Sequence, residues 1–273
     1  MHIQRGAWAE INLDAIAHNV QMAKANLKPT TKLCAVVKAD AYGHGAVRVA
    51  QEAARNGADF FAVALLQEGV KLREAGIETP ILVLGSMLPE VAEICVRYDI
   101  SHAVFDEERL YALNAAALKL HTKAKIHIKI DTGMHRIGVH VRDAGRFAKL
   151  AASLPGIYIE GVFSHFATAD ADDKQYAAYQ FERFQEALRL IEAEGVHIPI
   201  RHIANSAALT ELQEYQLDMV RQGITLYGLH PAHMIDCYKD FEPVMTVKTQ
   251  VAFVKTLPPG ETIGYGRTYT LTR

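Results

Sequence analysis

The sequence predicts an α/β protein, a (β/α)8 TIM-type barrel followed by a partial β-rich second domain. Three observations lead there. Eight short apolar runs rich in Val, Ile and Phe recur up to Val220, segments of helical period separate them, and after about Leu229 the period changes. The expected strands are Leu33–Val37, Phe60–Ala64, Ile81–Leu84, Ala103–Phe105, Ile126–Ile130, Ile159–Ser164, Ile200–Ile203 and Met219–Val220. The expected helices are Ala46–Asn56, Leu66–Glu74, Pro89–Tyr98, Glu107–Lys119, Val141–Ala152, Gln175–Glu194 and Ser206–Glu214. Strands that are nearly all apolar, each followed by a helix, make a parallel sheet buried on both faces. Eight such units over roughly 200 residues match a closed barrel. A doubly wound sheet is disfavoured because no GxGxxG follows the first strand. Gly57, Gly76 and Gly195 each stand where a left-handed residue ends a helix. Beyond the barrel, Met245–Val254 alternates polar and apolar residues, and Pro258-Pro259-Gly260 forms a turn. Ala7–Leu13 alternates too and is able to pair with it. Residues 1–13 are therefore expected as a strand of the β domain, 14–235 as the barrel and 236–273 as the start of the second domain.

Composition narrows the function classes. The 273 residues are 50% hydrophobic and 22% charged, with 29 basic against 31 acidic side chains and a net charge of −2. With no basic tail or acidic block, neither nucleic acid nor a membrane surface is an expected partner. Cys34, Cys95 and Cys237 are odd in number and far apart. That argues against a disulfide framework or a CxxC site and suits a reducing compartment. The N-terminus lacks an apolar signal core, and the uncharged run at residues 79–89 falls short of the ~20 residues that span a bilayer. A cytoplasmic protein is expected.

In such a barrel the reacting groups come from the carboxyl ends of the strands. The first strand runs into Lys38, the fifth carries Lys129 and leads to Asp131 and Arg136, and the sixth ends at His165. The seventh leads to Asn205 and Ser206, and the eighth to Arg221, Gly223 and Ile224. One face thereby collects two lysines, an imidazole and two arginines. Alone, each has a plain alternative: a solvated lysine for Lys38, an N-cap for Ser206, a core histidine for His165. Arg221 could equally form a rim ion pair with Asp218 or Glu214, and Lys129 could pair Asp131. His230, His233 and Asp236 have a spacing that a metal tolerates, but a full ligand set is not evident, and no metal is expected.

The motifs around these positions resemble one family. Val36–Gly45 (VVKADAYGHG) is similar to the pyridoxal-phosphate lysine motif of alanine racemases. Five further motifs agree in order: IKIDTGMHRIG from Ile128, SHFATAD from Ser164, ANSAA from Ala204, VRQGITLYG from Val220 and GYGRTY from Gly264. The resemblance covers essentially the whole chain. It implies that Lys38 holds pyridoxal 5′-phosphate covalently, that Tyr42, Ser206, Gly223 and Ile224 receive its phosphate beside Asn205, and that Arg221 faces its ring nitrogen. A guanidinium there has no proton-accepting site and leaves that nitrogen largely unprotonated, which favours return of the proton to Cα and so racemisation.

Racemisation needs acid–base groups on both faces of Cα. The resemblance implies Lys38 and Tyr265 for these roles, with Tyr265 supplied by the partner of a homodimer that shares its active sites. His165 would link Arg221 to Tyr265, Arg136 would pair the substrate carboxylate, and Lys129 is a candidate for carbamylation. The implied activity is interconversion of L- and D-alanine, supplying D-alanine for peptidoglycan. The alternatives are a racemase of another amino acid such as serine, or a cofactor-holding barrel without turnover. Against the family pattern the second domain reads as truncated at Arg273, which leaves activity of this chain alone an open question.

Overall fold

A computed structural model describes residues 6–231 and 238–273. They form two compact units: the described residues of 12–244, and residues 6–11 together with 245–273.

The larger unit is a parallel barrel. Its strands are β2 (Lys32–Val36), β3 (Phe60–Val63), β4 (Ile81–Val83), β5 (Ser101–Val104), β6 (Ala124–Asp131), β8 (Ile157–Phe163), β9 (Ile200–His202) and β10 (Met219–Gln222), with the two-residue β7 (Val139–His140) beside β6. Side by side they run β10-β2-β3-β4-β5-β6-β8-β9. Asp218 N donates to Arg201 O and Arg221 N to Ala204 O, both at 3.1 Å, so β10 also meets the end of β9 and the ring nearly closes. Each of the eight expected strands is present, because a strand covered on both faces has to be apolar along its whole length. On the inner face, Cys34, Phe60, Leu82, Ile200 and Met219 pack into one buried cluster.

The helices form for local reasons. Asp106 accepts from Arg109 N at 3.0 Å and caps Glu107–Lys119, whose first turn is acidic. Gly57, Gly76 and Gly195 have φ of +100°, +82° and +75° at the ends of their helices, as expected. Ser206–Glu211 is shorter than its apolar pattern indicated and passes into a 3-10 turn at Gln213–Tyr215. One helix, Leu13–Ala25, was not singled out by the pattern. Its buried face is made of Ala15, Ile16, Asn19, Val20 and Ala23, too small and too polar to give a strong periodic signal. Buried Asn19 ties the chain after the barrel to this helix: its Nδ2 donates to Glu242 O and its Oδ1 accepts from Glu242 N, both at 2.8 Å. Residues 238–244, which the change of pattern assigned to the second domain, accordingly pack with the barrel.

In the smaller unit β1 (Ala7–Ile11) pairs antiparallel with β11 (Met245–Thr249), and β12 (Thr262–Ile263) with β13 (Tyr269–Thr270). The strand expected to reach Val254 stops at Thr249, and Val251, Phe253 and Val254 are exposed. Among the described residues no helix is long and apolar enough to cross a membrane. Cys34 and Cys95 are free and buried, and burial pushes both thiols up to about 12. Cys237 lies outside the described residues, as do His233 and Asp236.

Candidate active site

A cavity of about 320 Å³ opens at the carboxyl end of the barrel strands. Ten barrel residues singled out from sequence line it: Lys38, Tyr42, Lys129, Arg136, His165, Asn205, Ser206, Arg221, Gly223 and Ile224. Tyr265 is not among them. It belongs to the smaller unit, in the turn Tyr265–Arg267, with an exposed side chain that makes no hydrogen bond among the described residues. The expected link from His165 to Arg221 is present, with Arg221 Nη2 donating to His165 Nδ1.

Lys38 follows β2 and opens an unusual turn. Ala39, Asp40, Ala41 and Tyr42 all have φ between +51° and +55°, a left-handed turn that costs roughly 1–2 kcal/mol per non-glycine residue. Neighbouring groups hold it. Ala39 N donates to Glu68 Oε1 at 2.6 Å, and Asp40 Oδ1 accepts from Ala46 N and Lys71 Nζ at 3.1 Å each. The turn brings Lys38 Nζ to 5.7 Å from the Tyr42 ring centroid. Burial raises the Tyr42 phenol, so its hydroxyl remains a donor at neutral pH.

Opposite stands a small cradle. Ser206 Oγ accepts from Gly223 N at 2.8 Å, and a Cβ on Gly223 would lie 3.7 Å from both Ser206 Oγ and the Tyr42 hydroxyl. The space between the two hydroxyls is therefore open because residue 223 is glycine. Ser206 is not the N-cap of its helix; Asn205 is, accepting from Ala208 N at 3.1 Å. That frees the serine hydroxyl to face the cavity wall.

Arg221 is buried on β10. Its Nη1 donates to His202 Nδ1 at 2.6 Å, and its Nη2 to His165 Nδ1 at 2.9 Å and to the carbonyls of Ser164 and Ile203 at 2.8 and 3.0 Å. The rim ion pair open to Arg221 on sequence does not form, because Arg201 takes Asp218 with bonds of 2.6 and 3.0 Å. Burial lowers the Arg221 guanidinium to about 10, still cationic at neutral pH. His165 is held well below its ordinary value by burial and by the cations Arg221, Lys129, Arg136 and Lys38.

Lys129 does not pair with Asp131 either. Its Nζ donates to Ile130 O at 2.7 Å, while Asp131 binds His135 and its own turn. Burial, then repulsion from Arg221, lowers Lys129 to about 7. Arg136 is exposed at the rim and meets no carboxylate among the described residues.

Three residues of this environment were not found from sequence. His202 continues to His127, whose Nδ1 lies 2.9 Å from His202 Nε2, and His127 Nε2 lies 3.0 Å from Glu160 Oε2. The available signal was a histidine in each of two barrel strands, with His127 two residues before Lys129 and thus on the same strand face.

Comparison with known proteins agrees with this geometry. The alanine racemase N-terminal domain model matches residues 11–231, and the C-terminal domain model matches residues 244–273. The chain is 46% identical over 265 residues to the alanine racemase of Desulfovibrio desulfuricans, covering 97% of this chain and 71% of that one. It superposes on the solved alanine racemase of Clostridium difficile 630 with a TM-score of 0.93 at 38% identity, over 99% of this chain and 71% of that one. A complex of the Clostridium difficile enzyme with cycloserine matches 93% of this chain, again 71% of the other, with a TM-score of 0.90 at 38% identity. These relatives favour neither serine racemisation nor a barrel without turnover. With both domain models matched in order across the barrel and the strands that follow it, the chain belongs to the alanine racemase family.

Proposed function

We propose that this chain interconverts L- and D-alanine with pyridoxal 5′-phosphate held in the barrel-mouth cavity, and that the D-alanine serves peptidoglycan synthesis. One observation carries the reading: an amine, an anion cradle and a buried guanidinium (Lys38, Ser206–Gly223–Tyr42 and Arg221) line one cavity. The fit to the cofactor rests on that cradle, whose two hydroxyls flank a volume that any side chain at position 223 would fill. When bound, the cofactor supplies an electrophilic aldehyde and a ring that withdraws electrons from Cα of the amino acid it captures.

Each residue then has a task. Lys38 attaches the cofactor and afterwards exchanges the Cα proton on one face. Tyr42, Ser206 and the Gly223 and Ile224 backbone bind the phosphate. Arg221 donates toward the ring nitrogen and, having no lone pair to offer, does not hand it a basic partner. Arg136, a planar fork without a carboxylate partner, pairs the substrate carboxylate. Tyr265 exchanges the proton on the opposite face, contributed by the partner copy of a homodimer; its exposed, unbonded hydroxyl supports that assignment. Lys129, lowered to about 7, is substantially an unprotonated amine at neutral pH. Its addition to carbon dioxide forms an N–C bond, releases a proton and leaves an anion beside Arg136 and Arg221.

Chiral analysis of alanine incubated with the chain and cofactor tests the activity. Lys38→Ala is expected to lose both racemisation and the absorbance of bound cofactor; a retained band would refute the role of Lys38. Tyr265→Ala is expected to slow proton removal from L-alanine far more than from D-alanine while the band persists, and equal slowing sinks the two-base scheme. For Lys129, ¹³C-labelled carbon dioxide should give a carbamate resonance that Lys129→Ala abolishes. Its absence from the unsubstituted chain would end that assignment.

A further inference from the structure

The hydrogen bonds leading away from Arg221 run in one direction. A guanidinium donates and cannot accept, so His202 Nδ1 must offer its lone pair to Nη1. A neutral His202 then carries its proton on Nε2 and donates to His127 Nδ1 at 2.9 Å. His127 in turn carries its proton on Nε2 and donates to Glu160 Oε2 at 3.0 Å, an oxygen that also accepts from the Ser101 hydroxyl. Reversing either imidazole would set N–H against N–H. A second proton on either ring would do the same. Arg221, a donor only, sets this direction from one end, and the carboxylate at the far end is the pure acceptor that receives the last N–H.

The backbone is shaped to allow it. Between β6 and β8 the register runs Ile126 opposite Ile159, then His127 opposite Gly161, so Glu160 is an extra, bulged residue. Bulges re-aim a side chain, and this one turns Glu160 toward His127. Gly161 makes room for the ring, since a Cβ there would lie 2.4 Å from His127 Nδ1 and 2.7 Å from Ile200 O. Phe163 stacks on His202 with centroids 4.9 Å apart and planes 5° from parallel, which holds that imidazole in place.

The electrostatics call for such a chain. Arg221 is 3% exposed, and among the described residues no carboxylate touches it. Its polar neighbours are two carbonyls and two neutral imidazoles, so the anion its network reaches is Glu160, two rings away. An uncompensated buried charge is costly, and hydrogen-bonded chains polarise along their length.

We propose that Glu160 is a positioning residue for Arg221, the pure acceptor that holds His127 and His202 in the tautomers Arg221 demands and so keeps the guanidinium in the orientation the cavity requires. The catalytic consequence rests on the function proposed above, whereas the tautomers do not, and the experiment separates the two. In the whole chain without cofactor, ¹⁵N NMR of labelled histidine side chains should show His127 and His202 neutral with the proton on Nε2. Glu160→Gln, which keeps the shape but adds a donor and removes the charge, should give mixed tautomers. With cofactor, the same variant should retain the bound-cofactor band and a KM for alanine within about twofold, while kcat falls roughly tenfold, or about 1.4 kcal/mol of transition-state stabilisation. Protons on Nδ1, or doubly protonated rings, in the unsubstituted chain would overturn the proposal whether or not the variant folds. So would a folded Glu160→Gln with unaltered tautomers and kcat. If the unsubstituted chain shows the expected tautomers but no racemisation, the functional reading falls and the relay stands.

Discussion

Between β10 and β4 the inner face of the barrel carries Cys34, Phe60, Ala62, Leu82 and Met219. Across the ring, β5 to β9 place Ser101, His127, Glu160 and His202 in series, ending on Arg221. The halves touch: Leu82 and Ser101 are register partners, as are Cys34 and Arg221. The apolar half contributes stability without direction, because burial of hydrocarbon depends on area rather than on which atom faces which. The polar half returns little net stability, since desolvation offsets most of what its hydrogen bonds supply. What it provides is orientation. A side chain with several donors is held in one pose, at the wall of the cavity where a pose matters.

That contrast can be broken experimentally, starting with its largest expected effect. Leu82→Ala, at a fully buried position, should lower the unfolding free energy by about 2–5 kcal/mol in urea titrations while leaving the histidine tautomers unchanged. A loss below about 1 kcal/mol would show that the apolar half does not carry the stability assigned to it. Glu160→Gln should do the converse, lowering kcat more than it lowers stability.

The smallest effect is a dependence on pH. Burial pushes the Glu160 carboxyl up, but the His127 and Ser101 donors outweigh it and hold the group below the usual glutamate range. Its contribution is therefore complete above the unfolded glutamate value and is lost as pH falls through the lowered one. The stability difference between the unsubstituted chain and Glu160→Gln should shrink on acidification below about pH 4, and that for Leu82→Ala should not. Parallel curves for both variants would remove the distinction between the halves.

Much of the site was legible from residues because it sits at strand ends. A lysine after an apolar run, an arginine after another and a glycine-rich turn are visible in chain order, and a parallel barrel brings all such ends to one mouth. The partners of those residues were less legible. Arg221 with Asp218 and Lys129 with Asp131 are reasonable pairs by proximity in sequence. In the fold Arg201 takes Asp218, and Lys129 turns to a carbonyl. Leu13–Ala25 escaped notice for a related reason: its buried face is defined by what it packs against rather than by large apolar residues of its own.

Periodicity and motif order sufficed to determine the barrel, the strand that ends in Lys38 and the residues around the cavity, because these depend on local pattern and on a topology with one allowed arrangement of ends. The tertiary structure alone decided which way the histidines face. Glu160 reaches His127 through a one-residue slip between two strands, and His127 fits because residue 161 has no side chain. A register shift is a property of two strands together, and no single stretch of sequence encodes it.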